Sequence, residues 1–138
     1  MNDSRSTTGY GVYANNLDSA YKVNNNFVAG GATTQITYGI YATGCDATFY
    51  SGSVSNNKII LKNTLAGIVY GLYETGMQGN YTRNNVINVS TTSTTSYGLY
   101  GTGGSGGVKY YNNTVQTGGP GTGTTNVAAY FSHSTTTA

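Results

Sequence analysis

Charge is what this chain has least of. Asp, Glu, Lys and Arg make up only 7% of its 138 residues, about a quarter of the usual share. The net charge is +2, and the six basic residues are scattered along the chain. A nucleic-acid footprint needs a clustered basic face, so no nucleic-acid partner is expected. No run approaches the roughly 18 apolar residues of a membrane span, and none is expected. The opening "MNDSRSTTGYG" has no apolar core and is not expected to act as a secretory signal. A single cysteine, Cys45, excludes an internal disulfide framework and any zinc site built from cysteines. It reads as a small buried hydrophobe. His133 is the only histidine, in "SHSTTTA", with no carboxylate near it in sequence, so Ser-His catalysis is not expected.

What replaces charge is Gly, Thr, Asn and Ser. Such a chain could be disordered, but disorder goes with few aromatics and high charge. Here there are 14 Tyr and 3 Phe, with regularly spaced Ile, Leu and Val. That is enough for a narrow core.

The regularity is a repeat. "YGVY" begins at Tyr10, "YGIY" at Tyr38, "YGLY" at Tyr70 and Tyr97, and a weaker "VAAY" at Val127. Their last tyrosines, Tyr13, Tyr41, Tyr73, Tyr100 and Tyr130, are 28, 32, 27 and 30 residues apart. A second motif follows each of the first four: "NNNF" at Asn24, "NNKI" at Asn56, "NNVI" at Asn84 and "NNTV" at Asn112. Fixed self-similarity at this period indicates a stacked repeat.

Columns can be read from the copies. After the anchor Tyr come Ala-Asn-Asn (14–16), Ala-Thr-Gly (42–44), Glu-Thr-Gly (74–76) and Gly-Thr-Gly (101–103), read as a turn. Its third residue is always Gly or Asn, the types that tolerate positive φ. The next column, Leu17, Cys45, Met77 and Gly104, is mostly apolar and expected inward. Asn25, Asn57, Asn85 and Asn113 are aligned at a second corner, where stacked amides can hydrogen-bond from coil to coil. Period-two alternation then puts Phe27, Ile59, Ile87 and Val115 inward, followed by Ala29, Leu61, Val89 and Thr117. The same alternation, applied to Tyr-Gly-aliphatic-Tyr, turns Val12, Ile40, Leu72, Leu99 and Ala129 inward. With them go Tyr10, Tyr38, Tyr70, Tyr97 and Val127. The Gly and anchor Tyr columns are then expected outward. "FYSGSVS" (49–55) is read as a lengthened bend, and 90–96 and 117–126 as bulges. No segment carries a sustained helical pattern. The unit is short strands and bends of about 30 residues, unable to bury its apolar face except by stacking.

"YGIY-x-TG" together with "NNVI" or "NNTV" resembles right-handed parallel β-helix repeat proteins, the pectate-lyase-like superfamily. "YGLYGTGGSGGVKYYNNTV" resembles repeat regions of large secreted surface proteins of Bacteroidota-type bacteria. The resemblance spans about residues 9–131. It implies an all-β, right-handed parallel β-helix of about four to five coils of roughly 27–32 residues, with no substantial helix. "YGIY" and "NNxI" would lie on two of the three strands of each coil, with the third in the variable middle. Residues 1–138 form one domain or a piece of a longer solenoid, with a lead-in at 1–8 and a frayed end at 132–138. The resemblance also implies an extracellular or cell-surface location. It implies little about activity, since the same fold hosts lyases, hydrolases, adhesins and stalks.

The chemistry available is sparse. Asp3, Asp18, Asp46 and Glu74 are the only acids. Asp18 and Asp46 each lie five residues after an anchor Tyr and therefore share a column. Stacked strands are about 4.8 Å apart, so the pair could hold Ca²⁺. The separation is also near the roughly 5 Å of a retaining glycosidase pair. The plainer account is that Asp suits a bend, as Gln78 and Ser105 do in later copies. "GTGGSGG" (101–107) lacks the Lys-Ser/Thr of a phosphate loop and is read as an ordinary bend. The Thr lead-ins at Thr8, Thr37 and Thr95 vary too much in length to form a flat ice-binding lattice. No residue is assigned a catalytic role.

The anchor stripe, Tyr13, Tyr41, Tyr73, Tyr100 and Tyr130, is the better candidate site. Outward rings flanked by glycine could form a platform for polysaccharide. The alternative is cross-strand stabilisation worth roughly 0.5–1 kcal/mol per pair. The expectation is a non-catalytic structural or adhesive segment. Its alternative is a piece of a polysaccharide lyase or glycoside hydrolase whose catalytic residues lie elsewhere. Open strand edges also raise end-to-end self-association.

Overall fold

The computed structural model describes residues 9–18, 20–31, 36–46, 52–62, 67–91, 95–104, 107–119 and 125–132. They form an all-β parallel solenoid of about four turns, with no helix among the described residues. The first coil contains β1 (Gly9–Asn15), β2 (Lys22–Asn24) and β3 (Phe27–Gly30). The second contains β4 (Ile36–Thr43), β5 (Gly52–Ser55) and β6 (Lys58–Lys62). The third contains β7 (Ile68–Thr75), β8 (Asn80–Arg83) and β9 (Val86–Ser90). The fourth contains β10 (Thr95–Thr102), β11 (Lys109–Tyr111) and β12 (Thr114–Gly118), and β13 (Thr125–Ser132) follows. Equivalent strands pair in parallel into three sheets. The first runs β1-β4-β7-β10-β13, the second β2-β5-β8-β11 and the third β3-β6-β9-β12.

The "YGxY" motif lies on the first sheet and the residues after the Asn pair on the third. The second-sheet strand stands immediately before the Asn pair. "GSVS" at 52–55 is therefore strand β5 rather than part of a lengthened bend.

Two corners recur. The first is made by Asn16, Gly44, Gly76 and Gly103, at φ 50, 59, 62 and 60°. The residues read as the start of this turn instead continue the strand. Ala14, Ala42, Glu74 and Gly101 are still in first-sheet register. The second corner is made by the first residue of each Asn pair. Asn25, Asn56, Asn84 and Asn112 sit at φ 61, 56, 54 and 54°. Asn adopts this conformation more readily than other residues with a Cβ.

The second Asn of the pair builds a ladder inside the solenoid. Asn57 Oδ1 accepts from Asn26 N and Nδ2 at 3.0 and 2.9 Å. Asn85 Oδ1 accepts likewise from Asn57, and Asn113 Oδ1 from Asn85. Each Nδ2 from Asn57 onward also donates to a second-sheet carbonyl, that of Val23, Val54 or Thr82.

This ladder corrects the alignment of the first copy by one residue. The column is Asn26, Asn57, Asn85, Asn113, not Asn25 with the other three. Phe27 pairs with Lys58, and Val28 with Ile59. Val28, not Phe27, is the core residue. Phe27 is 67% exposed, with the Lys58 ammonium 5.9 Å above its ring. Ala29 is exposed too, and Gly30 takes the place opposite Leu61. The core comprises Val28, Ile59 and Ile87 from the third sheet, with Leu61 and Val89. Val23 and Val54 come from the second sheet, Ile40, Leu72 and Leu99 from the first, and Cys45 and Met77 from the corner.

A second correction concerns the first sheet. In β7 the side chains run inward at Val69, outward at Tyr70, inward at both Gly71 and Leu72, outward at Tyr73 and inward at Glu74. Alternation is broken at Gly-Leu. The Gly column therefore faces in, and both Tyr columns face out. A Cβ on Gly39 would lie 2.6 Å from Ile59 Cγ2 and 2.5 Å from the Gly71 carbonyl oxygen. The first and third sheets approach too closely at this point for any side chain.

Candidate functional site, a double tyrosine ladder

The break at Gly-Leu places two tyrosines, three residues apart, side by side on the outer face of every coil. Tyr38 and Tyr41 have ring centroids 4.9 Å apart and planes at 85°. Tyr70–Tyr73 and Tyr97–Tyr100 repeat this at 5.0 Å, with planes at 83 and 80°. Parallel register then stacks each ring on its equivalent in the next coil. Tyr10, Tyr38, Tyr70 and Tyr97 form one column, with centroids 5.0 to 5.3 Å apart and planes within 9°. Tyr13, Tyr41, Tyr73, Tyr100 and Tyr130 form the other. Tyr41–Tyr73 and Tyr73–Tyr100 are both 5.0 Å apart, at 5 and 6°.

Parallel rings in contact lie about 3.5 Å apart, so centroids 5.0 Å apart put each plane at about 45° to the column direction. Opposite tilts in the two columns are consistent with the near-perpendicular crossings between them. The arrangement is a herringbone that uses both geometries aromatic quadrupoles favour. Tyr70 illustrates the consequence. Tyr38 and Tyr97 cover its two faces, and the edges of Tyr73 and Tyr100 close its side. Ring faces inside the array are used up by other rings. The surface shows ring edges and hydroxyls.

Packing also alters the phenols. Burial, then the neighbouring phenols, pushes Tyr70 up from 10.0 to about 12. Tyr38, Tyr73 and Tyr100 rise for the same reasons in the same order. These four phenols therefore keep their hydroxyl protons at physiological pH.

The anchor tyrosines stand on the exterior, Tyr13 54% exposed and Tyr130 42%. The first Tyr column, expected in the core, is the part of the array that strict period-two reading missed. Its signal was present: an inward Gly beside an inward aliphatic leaves both flanking tyrosines outside.

Asp18 and Asp46 are neighbours across adjacent coils, bridged through their backbones, with Gln78 next in the column. Asp18 is exposed and Asp46 half-buried. Among the described residues, no group of three or more His, Cys, Asp or Glu forms around them. Two carboxylates supply two to four of the six to eight oxygens Ca²⁺ takes. Cys45 is buried, its thiol directed at the Thr43 and Ala14 carbonyls at 3.5 and 4.0 Å, and burial raises its pKa. His133 and Thr8 lie outside the described residues.

No family model, curated protein or solved structure matches this chain.

Proposed function

We propose that this chain is a non-catalytic structural or adhesive segment of a secreted or cell-surface protein, and that its first-sheet face contacts polysaccharide. The observation behind this reading is the double tyrosine ladder. Nine phenols stand in two straight columns, repeating once per coil. Because the ring faces are occupied, recognition works through hydroxyl rows and ring edges. A glycan chain lying along the solenoid axis would meet a phenol donor and acceptor at each coil. The motif resemblance to secreted, pectate-lyase-like β-helix proteins supports the extracellular placement.

The test separates hydroxyls from rings. Tyr41→Phe, Tyr73→Phe and Tyr100→Phe together keep the herringbone and remove one hydroxyl per coil. At about 0.5–1.5 kcal/mol per hydrogen bond, the three lost hydroxyls should weaken binding by at least about 10-fold while the variant melts near the wild type. Retention on cellulose, xylan and chitin is the readout. The reading fails if the wild type is retained by none of them, or if the triple variant is retained equally well.

A further inference from the structure

Glu74 lies inside the solenoid, entirely shielded from solvent. Its column neighbours explain how it fits. Ala42 and Gly101 stand beside it in first-sheet register and leave room in the coils on either side. Across the interior, Asn80 pairs with Gly52, and the Tyr21 ring covers the space over Gly52.

Polar partners converge on one of its two oxygens. Thr82 Oγ1 donates to Glu74 Oε1 at 2.7 Å, and Asn80 Nδ2 approaches the same oxygen at 3.2 Å. Asn80 Nδ2 also donates to Thr82 Oγ1 at 2.8 Å. Tyr110, from β11, hydrogen-bonds the same carboxyl group. Three buried atoms have no hydrogen-bond partner among the described residues: Glu74 Oε2, Asn80 Oδ1 and the Tyr21 hydroxyl.

The groups facing Glu74 carry no positive charge. They are Tyr110 from β11, Tyr21 from the residue before β2, and Cys45 from the corner after β4, with the Asp46 carboxylate acting on Tyr21 beyond them. A bare, unpaired carboxylate in such a place is costly. Both Glu74 Oε2 and Asn80 Oδ1 are acceptors while the carboxyl is ionised, so neither can satisfy the other. A proton on Oε2 changes that. It supplies the one donor this pair of side chains lacks, next to the Nδ2–Oε1 contact they already share.

We propose that the third coil is a proton-binding site, in which Glu74 is held as the carboxylic acid and donates Oε2–H to Asn80 Oδ1 in a cyclic acid–amide pair. Burial, the largest influence on this group, raises it from 4.5 to about 7, against the lowering effect of its hydrogen bonds. The folded chain therefore keeps the proton in a range where the unfolded chain has lost it. The stabilisation is complete below about 4.5 and is lost as pH rises through about 7. Across that window the folding equilibrium constant falls by up to about tenfold per pH unit, on the order of a hundredfold in all.

The experiment compares wild type with Glu74→Gln, which keeps the acceptor and makes the proton permanent as an amide N–H. Urea unfolding between about pH 5 and about pH 8 should show wild-type stability declining, and a shallower slope for E74Q by up to one proton's worth. In parallel, carbon-13 NMR of the wild-type Glu74 carboxyl should show a protonated acid at pH 6. Equal pH slopes for the two proteins, or an ionised Glu74 carboxyl at pH 6, would overturn the proposal. The NMR measurement decides the matter even if E74Q fails to fold.

Discussion

Asn85→Ala should be among the most damaging single substitutions available in this chain. The Asn85 side chain makes four hydrogen bonds and is fully buried. Its loss does not affect all partners equally. Asn57 N–H donates only to Asn85 Oδ1 here and becomes an orphan. Asn57 Nδ2 loses one bond but keeps Val23 O, and Asn113 Oδ1 keeps the Asn85 backbone N–H. Val54 O loses its side-chain donor. One buried orphan costs about 1–3 kcal/mol and three lost bonds about 0.5–1.5 each, so after relaxation the loss should be about 3–5 kcal/mol. That is a large fraction of an ordinary domain's stability. The assay is urea unfolding followed by circular dichroism, with the midpoint falling at constant slope. Two controls bracket it. Asn26→Ala removes one Nδ2 donor at the start of the ladder and should cost about 1 kcal/mol. Asn84→Gly, at an exposed residue with φ 54°, should change stability by less than about 0.5 kcal/mol. A loss below about 1 kcal/mol for Asn85→Ala would refute the claim that the amide ladder joins the coils.

Two further substitutions test the two corrections to the sequence reading. Gly71→Ala places a methyl group against Ile87 Cγ2 and 2.6 Å from the Gly98 carbonyl oxygen. It should cost about 1–3 kcal/mol or more, since overpacking here requires the two sheets to separate; a melting temperature equal to wild type would show that they part freely. Phe27→Ser should be nearly neutral, whereas Val28→Ala should cost about 1–3 kcal/mol by calorimetry, reversing the order that the Asn24-based alignment implies.

The architecture was legible because repetition acts at two levels. Anchor spacing fixed the coil length, and the residue types tolerant of positive φ marked both corners. What misled was local. Asn24, Asn25 and Asn26 are identical in sequence, so the Asn pair of the first copy had two candidate starts, and an aromatic at position 27 made the wrong one look like core. Only the ladder bonds select Asn26. In the first sheet, period two assumes one residue per pleat. The Gly-Leu pair breaks it, because Gly contributes no side chain to the interior it faces. Glu74 was hidden for a related reason. "Glu-Thr-Gly" reads as an exposed turn, yet the strand runs on for two residues and turns Glu74 inward. Nothing in that triplet announces that Ala42, Gly52 and Gly101, all distant in sequence, have vacated the space around it.

Glycine, kink and tyrosines form one device. The Gly column brings the third sheet close enough for Ile59 and Ile87 to pack against first-sheet backbone. The same glycines allow two successive inward residues, and that moves the second tyrosine of each motif onto the face of the first. The herringbone is thus a by-product of a thin core, and the thin core depends on the absence of a Cβ. Each interior ring gains two stacked partners and edge contacts worth about 0.5–1.5 kcal/mol per pair. Stability accounts for the rings. It does not account for the hydroxyls, since phenylalanine would stack equally well, yet nine of the ten positions in the two columns are tyrosine and the tenth is Val127. A hydroxyl on every ring of the two columns is the part of the repeat that packing leaves unexplained, and it is the part that the proposed glycan contact would use.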